Sequence, residues 1–323
     1  MTDAPPLVSV LMPVYQAERW LSEALESAFA QTFEDFELVA VDDGSTDGSL
    51  EILEEWSGRD SRLRIVRAPH GGLPYAREIS LREARGRYAA FLDADDRWLP
   101  NRLERQLPFA DDETVVFSDA YVATLDAEAW GTSSDLLPPP SIEWPTRGLF
   151  PVLLEQNFIL VSTVLAPTGQ LVEAGSFRRS ERLGLGDTGG CCDLEMWLAL
   201  ARKSLKFHYV AEPLAIYCFH SEQMSEDHVQ MELDHLRVLD SFEDEVQSSV
   251  RALGRGRKMA RRRLEEAHRR HAWRLWLARD RRAARGHLVA SLRARPLAPR
   301  TWVALALFYA PPLGRRFAER GTG

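Results

Sequence analysis

Apolar segments and helical segments alternate through the first hundred residues of the chain. Four short runs are rich in apolar or β-branched residues and predict buried strands: Leu7–Met12, Phe36–Val41, Leu63–Arg67 and Tyr88–Leu92. Between these runs, apolar side chains recur at helical spacing, as at Leu21, Ala24, Leu25 and Ala28. Strands that alternate with helices predict an α/β fold with a mainly parallel, doubly wound sheet.

The later part of the chain is less regular. We expect a fifth strand at Thr114–Ser118 and two short strands at Phe207–Val210 and Leu214–Tyr217, on either side of Pro213. Residues 126–145 are predicted to be irregular, and the glycine-rich residues 184–190 are predicted to form a mobile loop. From about Asp227 the pattern becomes helical.

Polar or glycine-rich turns follow the predicted strands. They are Pro13–Tyr15, Asp42–Asp43, His70–Gly72 and Asp93–Asp96. In open α/β sheets, ligands bind beyond the carboxyl ends of the strands. We therefore expect these turns to converge on one crevice.

The last of these turns carries three carboxylates, Asp93, Asp95 and Asp96, within four residues. Carboxylates this close repel one another unless a cation lies between them. A divalent ion such as Mg²⁺ or Mn²⁺ would take oxygen ligands of this kind. The turn alone is equally compatible with a solvated acidic loop, so both interpretations stay open at this point.

Composition places the chain among ordinary globular proteins. With 323 residues, it has enough chain for one large domain and an appendage. Three cysteines, two of them adjacent, form neither a disulfide framework nor a metal-binding spacing, which predicts a reducing, cytoplasmic location. No signal peptide is apparent, and the longest apolar run is about half of a membrane span.

Charge is distributed unevenly along the chain. Residues 245–323 contain 20 Lys and Arg but 5 Asp and Glu, whereas the preceding residues contain 20 basic and 43 acidic residues. We predict two domains, residues 1–226 and a basic helical region over residues 227–323. The basic surface could be a solvated face, a peripheral contact with anionic lipid at the inner face of the membrane, or a docking surface for the acidic domain. Nucleic-acid binding is not predicted, because no recognised motif accompanies the charge.

Three segments, read in order, resemble the inverting family-2 glycosyltransferases. They are VSVLMPVYQAERWLSEALESAFAQTFEDFELVAVDDGSTDGS, GGLPYAREISLREARGRYAAFLDADDRW and DLEMWLALARKSLKFHYVAEPLAIYCFHSEQMS. The resemblance covers roughly residues 7–225. It implies a GT-A-type, Rossmann-like mixed sheet flanked by helices, which binds a nucleotide-diphosphate sugar. The reaction it implies is metal-dependent transfer of a hexose or N-acetylhexosamine, with UDP as the expected nucleotide, to a hydroxyl of a glycan, lipid-linked or peptide-linked acceptor.

The resemblance also implies roles for residues on the donor side. Pro13 and Tyr15 would line the nucleobase pocket, where an aromatic ring can stack on the base. Asp43 would accept a hydrogen bond from the uracil or ribose, and Arg77 would contact the diphosphate or base. Asp93 would bind the ribose or a water. For Asp43 a helix-capping turn, and for Arg77 an exposed helical arginine, remain alternatives.

By the same resemblance, Mn²⁺ or Mg²⁺ would be held by Asp95, with Asp96 in support and His220 approaching the metal or diphosphate. Asp193 would be the base that takes the proton of the acceptor hydroxyl. Its alternative is a helix N-cap, and the two roles are compatible.

Several residues depart from the family pattern. Cys192 stands where a Glu is usual, and Cys218 where an Arg is usual before the histidine. His70, Glu78 and Ser80 also differ from the usual residues beside the donor pocket and leave the sugar open. A catalytically silent sugar-nucleotide-binding module therefore remains an alternative. A sugar nucleotidyltransferase is less favoured, because MPVYQAERW after the first strand lacks a glycine-rich basic loop.

Overall fold

A computed structural model describes residues 4–124, 131–132, 139, 143–175, 177, 190–220, 223, 227–242, 250–278 and 280–309. The chain divides into two compact units, Met1–Met224 and Ser225–Gly323. Most of the predicted irregular segment and nearly all of the predicted glycine-rich loop lie outside the described residues. Within the described part of the chain, no helix is both long enough and apolar enough to cross a membrane.

The first unit is built on one twisted sheet. Its described strands are β1 (Val8–Val14), β2 (Phe36–Asp42), β3 (Leu63–Arg67), β4 (Tyr88–Phe91), β5 (Arg97–Trp98), β6 (Thr114–Thr124), β7 (Gly131–Thr132), β8 (Leu165–Pro167) and β9 (Lys206–Phe219). They lie in the order β3-β2-β1-β4-β8-β6-β9-β5, with β7 beside β6. Strands β3, β2, β1 and β4 are parallel, as is the long β6–β9 pair, whereas β8, β5 and β7 pair antiparallel. The prediction of a mixed, mainly parallel α/β sheet is confirmed.

Helices cover the sheet. Those described in the first unit are α1 (Leu21–Phe29), α2 (Ser49–Arg59), α3 (Leu73–Glu83), α4 (Arg102–Gln106), α5 (Phe150–Glu155), α6 (Thr168–Glu173) and α7 (Cys192–Arg202). The face of β1 that carries Val10 and Met12 shares a core cluster with Leu21 and Leu25 of α1. Both faces of β1 and β2 are buried, which explains why their sequences are continuous apolar runs.

The predicted pair of short strands near Pro213 is wrong. The structure has one strand there, β9, which runs parallel to β6 over its whole length. The register shifts between Ser118 and Ala120, so that Val210 and Pro213 face successive residues of β6. This irregularity accommodates a proline that cannot donate a ladder hydrogen bond. The partner strand β6 is correspondingly longer than predicted.

The turns after β2 and β3 approach closely. Gly44 has a φ of 72°, and a Cβ added there would lie 2.9 Å from the backbone nitrogen of His70. Gly72 has a φ of 87° and immediately precedes α3. Glycine is the residue that adopts such backbone angles without strain. Both glycines therefore allow two strand-end turns to meet at the same edge of the sheet.

The second unit is helical in its described residues. Its helices are α8 (His228–Ser241), α9 (Val250–Leu277), α10 (Arg281–Ala294) and α11 (Pro299–Tyr309). The Asp227 and Asp280 carboxylates cap α8 and α10 by accepting backbone hydrogen bonds. Ala272 of α9, Leu288 of α10 and Ala304 of α11 form a small shared core.

Candidate functional site

A cavity of about 450 Å³ opens at the carboxyl ends of β1, β2 and β4. This volume lies in the range of small-molecule sites. Six of the nine predicted site residues line the cavity: Pro13, Tyr15, Asp43, Asp93, Asp95 and His220. Arg77, Asp96 and Asp193 are not among the lining residues. Convergence of the strand-end turns on one crevice, expected from the sequence, positions five of these side chains, and His220 comes from the end of β9.

Tyr15 and His70 form an aromatic part of the cavity wall. The ring of Tyr15 stacks on the ring of His70, with centroids 4.1 Å apart and an interplanar angle of 16°. Tyr15 is 49% exposed, so the second face of its ring is available to a ligand. An exposed aromatic face of this kind can stack on a planar heterocycle such as a nucleobase.

The buried carboxylate of Asp43 organises the turn beside this aromatic pair. Its two oxygens accept hydrogen bonds from the backbone N–H groups of Gly71 and Gly72, each at 2.9 Å. Oδ2 also lies 2.9 Å from Nδ1 of His70. A carboxylate offers about four acceptor sites, so one more hydrogen bond can be accommodated. Asp42 acts separately and accepts a hydrogen bond from the backbone N–H of Ser45.

A carboxylate–imidazole pair also lines the cavity. Oδ2 of Asp95 lies 3.0 Å from Nε2 of His220. The His220 ring also stacks on Trp20, with centroids 4.0 Å apart. Nδ1 of His220 is buried and has no hydrogen-bond partner among the described residues. The stack and the Asp95 contact fix the imidazole, and together they bring the loop after β9 to the loop after β1.

Asp96 points away from the cavity. Its Oδ2 accepts a hydrogen bond from the Ser162 hydroxyl at 2.6 Å, and its Oδ1 accepts one from the backbone N–H of Cys218 at 3.0 Å. The Ser162 hydroxyl oxygen also accepts a hydrogen bond from the backbone N–H of Asp93. Burial, together with the charges of Asp95 and Asp93, raises the pKa of Asp96 well above its ordinary value. Its contacts fix the backbone of the acidic turn.

Arg77 is buried and connects two parts of the site. Its Nη2 donates to both oxygens of Asp93, at 2.8 and 3.0 Å, and its Nη1 donates to the Sγ of Cys192 at 3.0 Å. The cation therefore lies between the acidic turn after β4 and the start of α7. Burial raises the pKa of Asp93, and the Arg77 guanidinium opposes that rise. The alternative of an exposed helical arginine is excluded, because Arg77 is 3% exposed.

Asp193 lies in the first turn of α7, and the N-cap position is occupied by Cys191 instead. Its Oδ2 accepts a hydrogen bond from Nδ2 of Asn157 at 3.0 Å. Burial raises the pKa of Asp193, and the nearby charge of Arg77 opposes this rise. A carboxylate with a raised pKa is a stronger base. Burial likewise raises the pKa of the adjacent Cys192 thiol to about 11, so this side chain is neutral near pH 7.

The side-chain oxygen of Asp95 and the ring nitrogen of His220 fit a divalent ion whose other ligands come from a bound phosphate group and water. No group of three His, Cys, Asp or Glu side chains in the described part of the chain forms a closed metal site. Mg²⁺ sites usually use one or two carboxylates together with substrate phosphates and water. Asp95 and His220 offer one oxygen and one nitrogen on the cavity wall. Phosphate oxygens and water would complete the coordination.

Three residues that contact the site were not predicted from the sequence. Trp20 stacks on His220, Ser162 joins Asp93 to Asp96, and Asn157 binds Asp193. Trp20 immediately precedes α1, and the helical pattern there does not predict a contact with His220. Neither Ser162 nor Asn157 belongs to a motif, so no sequence signal marked them.

Comparison with known proteins matches the chain to one protein family. A model described as glycosyl transferase family 2 matches residues 9–158. The chain is 32% identical over 221 residues to the putative teichuronic acid biosynthesis glycosyltransferase TuaG of Bacillus subtilis. That match covers 67% of this chain and 81% of TuaG.

Solved structures share the fold at low sequence identity. Residues 1–349 of Staphylococcus aureus TarS, in complex with UDP-GlcNAc, superpose with a TM-score of 0.53 at 17% identity, over 95% of this chain and 88% of that one. The mannosyltransferase PcManGT of Pyrobaculum calidifontis, in complex with GDP-Man and Mn²⁺, gives a TM-score of 0.54 at 16% identity, over 96% and 81%. These likenesses support a GT-A-type fold. The family match and the relationship to TuaG establish that the chain belongs to glycosyl transferase family 2 and is a glycosyltransferase.

Proposed function

We propose that the chain is a metal-dependent inverting glycosyltransferase. It moves a hexose or N-acetylhexosamine from a UDP-sugar to a hydroxyl of a glycan, lipid-linked or peptide-linked acceptor. The observation that carries this proposal is one cavity whose wall carries both the Tyr15–His70 stack and the Asp95–His220 pair. The arrangement suits a ligand with a planar base and a charged phosphate group.

The part of the cavity wall around Tyr15 and His70 binds the nucleoside. Tyr15 stacks on the base, with Pro13 beside it, and Asp43 accepts a hydrogen bond from the base or ribose. The acceptor-only carboxylate of Asp43 suits uridine, whose imide N–H is a donor. The TarS complex with UDP-GlcNAc and the PcManGT complex with GDP-Man support a nucleotide-diphosphate sugar as the donor class.

Asp95 and His220 would hold a divalent ion beside the diphosphate. The imidazole would favour Mn²⁺ over the harder Mg²⁺. A bound divalent ion would stabilise the charge that develops on the leaving diphosphate. Asp96 keeps the acidic turn in place through Ser162 and Cys218. Asp93 orients the ribose or a water, while Arg77 fixes the Asp93 carboxylate.

Asp193 takes the proton of the acceptor hydroxyl as that oxygen attacks the anomeric carbon. Asn157 orients its carboxylate. Burial raises the pKa of Asp193, and the Arg77 charge opposes that rise. A single displacement of this kind inverts the configuration at the anomeric carbon. The product of an α-linked donor sugar is then β-linked, which proton NMR of the product can determine.

We infer the class of acceptor from a relative. TuaG is described as a glycosyltransferase of teichuronic acid biosynthesis, which favours a glycan acceptor for this chain. A cytoplasmic location with peripheral contact at the inner face of the membrane agrees with a lipid-linked acceptor. The basic second unit supplies the surface for such a contact.

A panel of nucleotide sugars tests the proposal. Thermal unfolding of the full chain with Mn²⁺ should shift upward with one UDP-sugar, because a ligand that binds only the folded state stabilises it. The same donor should then be consumed, and more quickly when an acceptor is present. A shift with GDP-sugars alone would contradict the uridine assignment, and equal shifts with and without Mn²⁺ would contradict metal dependence.

One observation favours a second candidate, a sugar-nucleotide-binding module without turnover. Cys192 stands where the family has a glutamate, and burial keeps its thiol neutral near pH 7, with a pKa of about 11. If the family's glutamate is indispensable, donor binding would survive without transfer. A thermal shift with UDP-sugar and Mn²⁺, combined with no consumption of the donor in any acceptor mixture, would favour this candidate.

A further inference from the structure

The last two described helices of the second unit carry basic side chains but no acidic ones. Between Arg281 and Tyr309 the sequence contains no Asp or Glu and six arginines: Arg281, Arg282, Arg285, Arg293, Arg295 and Arg300. Of these, Arg295 lies 3.5 Å from Glu265 of α9. This stretch of 29 residues therefore has a net positive charge. Its partner is therefore expected to be anionic.

Helix α11 is apolar on two faces. Its inner face carries the buried Ala304, with Leu305 and Phe308 packed against the small core shared with α9 and α10. Its outer face carries Trp302 and Val303, each of which is 53% exposed. A surface helix normally places polar residues opposite its buried stripe, whereas α11 places Trp302 and Val303 there, which indicates a second apolar environment.

The turn between α10 and α11 extends this apolar surface. Leu297 is 91% exposed. The indole N–H of Trp302 donates to the backbone oxygen of Pro296 at 2.8 Å, which holds the ring beside the turn. Arg293 and Arg300 are exposed on either side of Leu297 in the sequence. We call Arg293, Leu297, Arg300, Trp302 and Val303 the apolar-basic face.

We propose that the apolar-basic face lies on an anionic lipid bilayer. Arginines attract acidic headgroups, while tryptophan, leucine and valine insert at the boundary of the acyl chains. A symmetric contact with a second copy is disfavoured, because it would bring two arginine-rich surfaces together. Nucleic acid would use the arginines but leave Leu297 and Val303 unexplained.

The helix would lie in the interface and not span the bilayer. At 1.5 Å per residue, its 11 residues measure about 16 Å, against a hydrocarbon thickness of about 30 Å. Surface binding of this kind combines a shallow apolar insertion with an electrostatic attraction. The attraction should weaken as salt is added.

Vesicle sedimentation with the full chain tests the proposal. The chain should pellet with vesicles of phosphatidylcholine and phosphatidylglycerol in equal parts, and much less with phosphatidylcholine alone. Val303→Glu should abolish most of this binding, since it places a carboxylate where the bilayer would be. Arg293→Gln and Arg300→Gln should each lower the partition coefficient by about fivefold. No donor or turnover is needed, so the result is independent of the proposed transfer reaction.

Val172→Glu is the matched control. Val172 lies in α6 of the first unit and is 52% exposed, nearly the same as Val303. This variant should bind vesicles like the wild type, and both variants should unfold at the wild-type temperature because both sites are exposed. Wild-type binding by Val303→Glu would overturn the proposal. Equal wild-type pelleting with both vesicle types, or pelleting with neither, would overturn it too, and so would a concentration-dependent dimer that Val303→Glu abolishes.

Discussion

The part of the site that we propose binds the donor (the donor side) and the part that carries the proposed base (the base side) are built differently. On the donor side, Tyr15, Asp95 and His220 line an open cavity at the ends of the sheet strands. On the base side, Asp193 lies in the first turn of a helix and is not part of the cavity lining. The donor residues are thus placed by the sheet, and the base by α7. Because different elements position them, donor binding and proton removal should be separable by mutation.

Arg77 is where the two sides meet. It binds Asp93 on the donor side and Cys192 on the base side, and its charge acts on Asp193. A substitution here should therefore affect both sides, whereas substitutions at Asp95 or Asp193 should each affect one. The predictions below test this division, starting with the largest expected effect.

Asp193→Asn should lower kcat by about 10²–10⁴-fold, the usual contribution of a general base. The KM for the donor should stay close to that of the wild type, because Asp193 does not line the cavity. Steady-state kinetics at saturating acceptor measure both values. Glu51→Gln is a suitable control, since it removes a carboxylate from the first turn of another helix, α2. A wild-type kcat in Asp193→Asn would show that the base lies elsewhere.

Asp95→Asn should raise the Mn²⁺ concentration needed for half-maximal activity by about 10–100-fold, since an amide is a weaker ligand than a carboxylate. Titration of the activity with Mn²⁺ measures this change. Asp112→Asn removes a surface carboxylate that pairs with Arg87 and should leave the titration unchanged. If the two variants respond alike to Mn²⁺, Asp95 is not a metal ligand.

Arg77→Gln should shift the acidic limb of the kcat–pH profile to higher pH. Burial raises the pKa of Asp193 and Arg77 lowers it, so removal of the cation raises it further and the base is protonated at a higher pH. Arg77→Lys keeps the charge and should stay nearer the wild-type profile.

Arg102→Gln controls for the loss of a buried arginine as such. Arg102 is also fully buried and donates to the backbone oxygen of Val164. Its substitution should lower stability without moving the acidic limb. If the two glutamine variants give the same profile, Arg77 does not act on Asp193.

His70→Asn should weaken UDP binding by about 2–10-fold, which corresponds to the loss of one aromatic contact that orients Tyr15. Isothermal titration calorimetry with UDP and Mn²⁺ measures the change. His208→Asn is the matched control, because His208 stacks on Phe109 at 4.2 Å in a pair that does not line the cavity. Equal affinities in the wild type, His70→Asn and His208→Asn would show that the Tyr15–His70 stack does not contribute to nucleoside binding.

The sheet and the cavity were largely predictable because their signals are local. Buried parallel strands are continuous apolar runs, and the turns after β1, β2 and β4 meet because the carboxyl ends of neighbouring parallel strands share an edge. This is why Tyr15, Asp43 and Asp95 could be placed together from the sequence. Their chemical roles remain predictions.

The contacts that complete the site were not predictable, because they join distant parts of the chain through packing. The Trp20–His220 stack depends on the path of β9, which the sequence interrupts with Pro213. The contact of Asp96 with Ser162 depends on the segment that precedes β8, and its contact with Cys218 depends on the position of β9. Local propensity carries no information on either packing arrangement.

Isothermal titration calorimetry with UDP and Mn²⁺ tests the division between the two sides most directly. The two variants to compare are Asp193→Asn and Asp95→Asn. The account predicts that Asp193→Asn binds UDP like the wild type, while Asp95→Asn binds at least about tenfold more weakly. Equal loss in both variants, or weaker binding in Asp193→Asn than in Asp95→Asn, would contradict it.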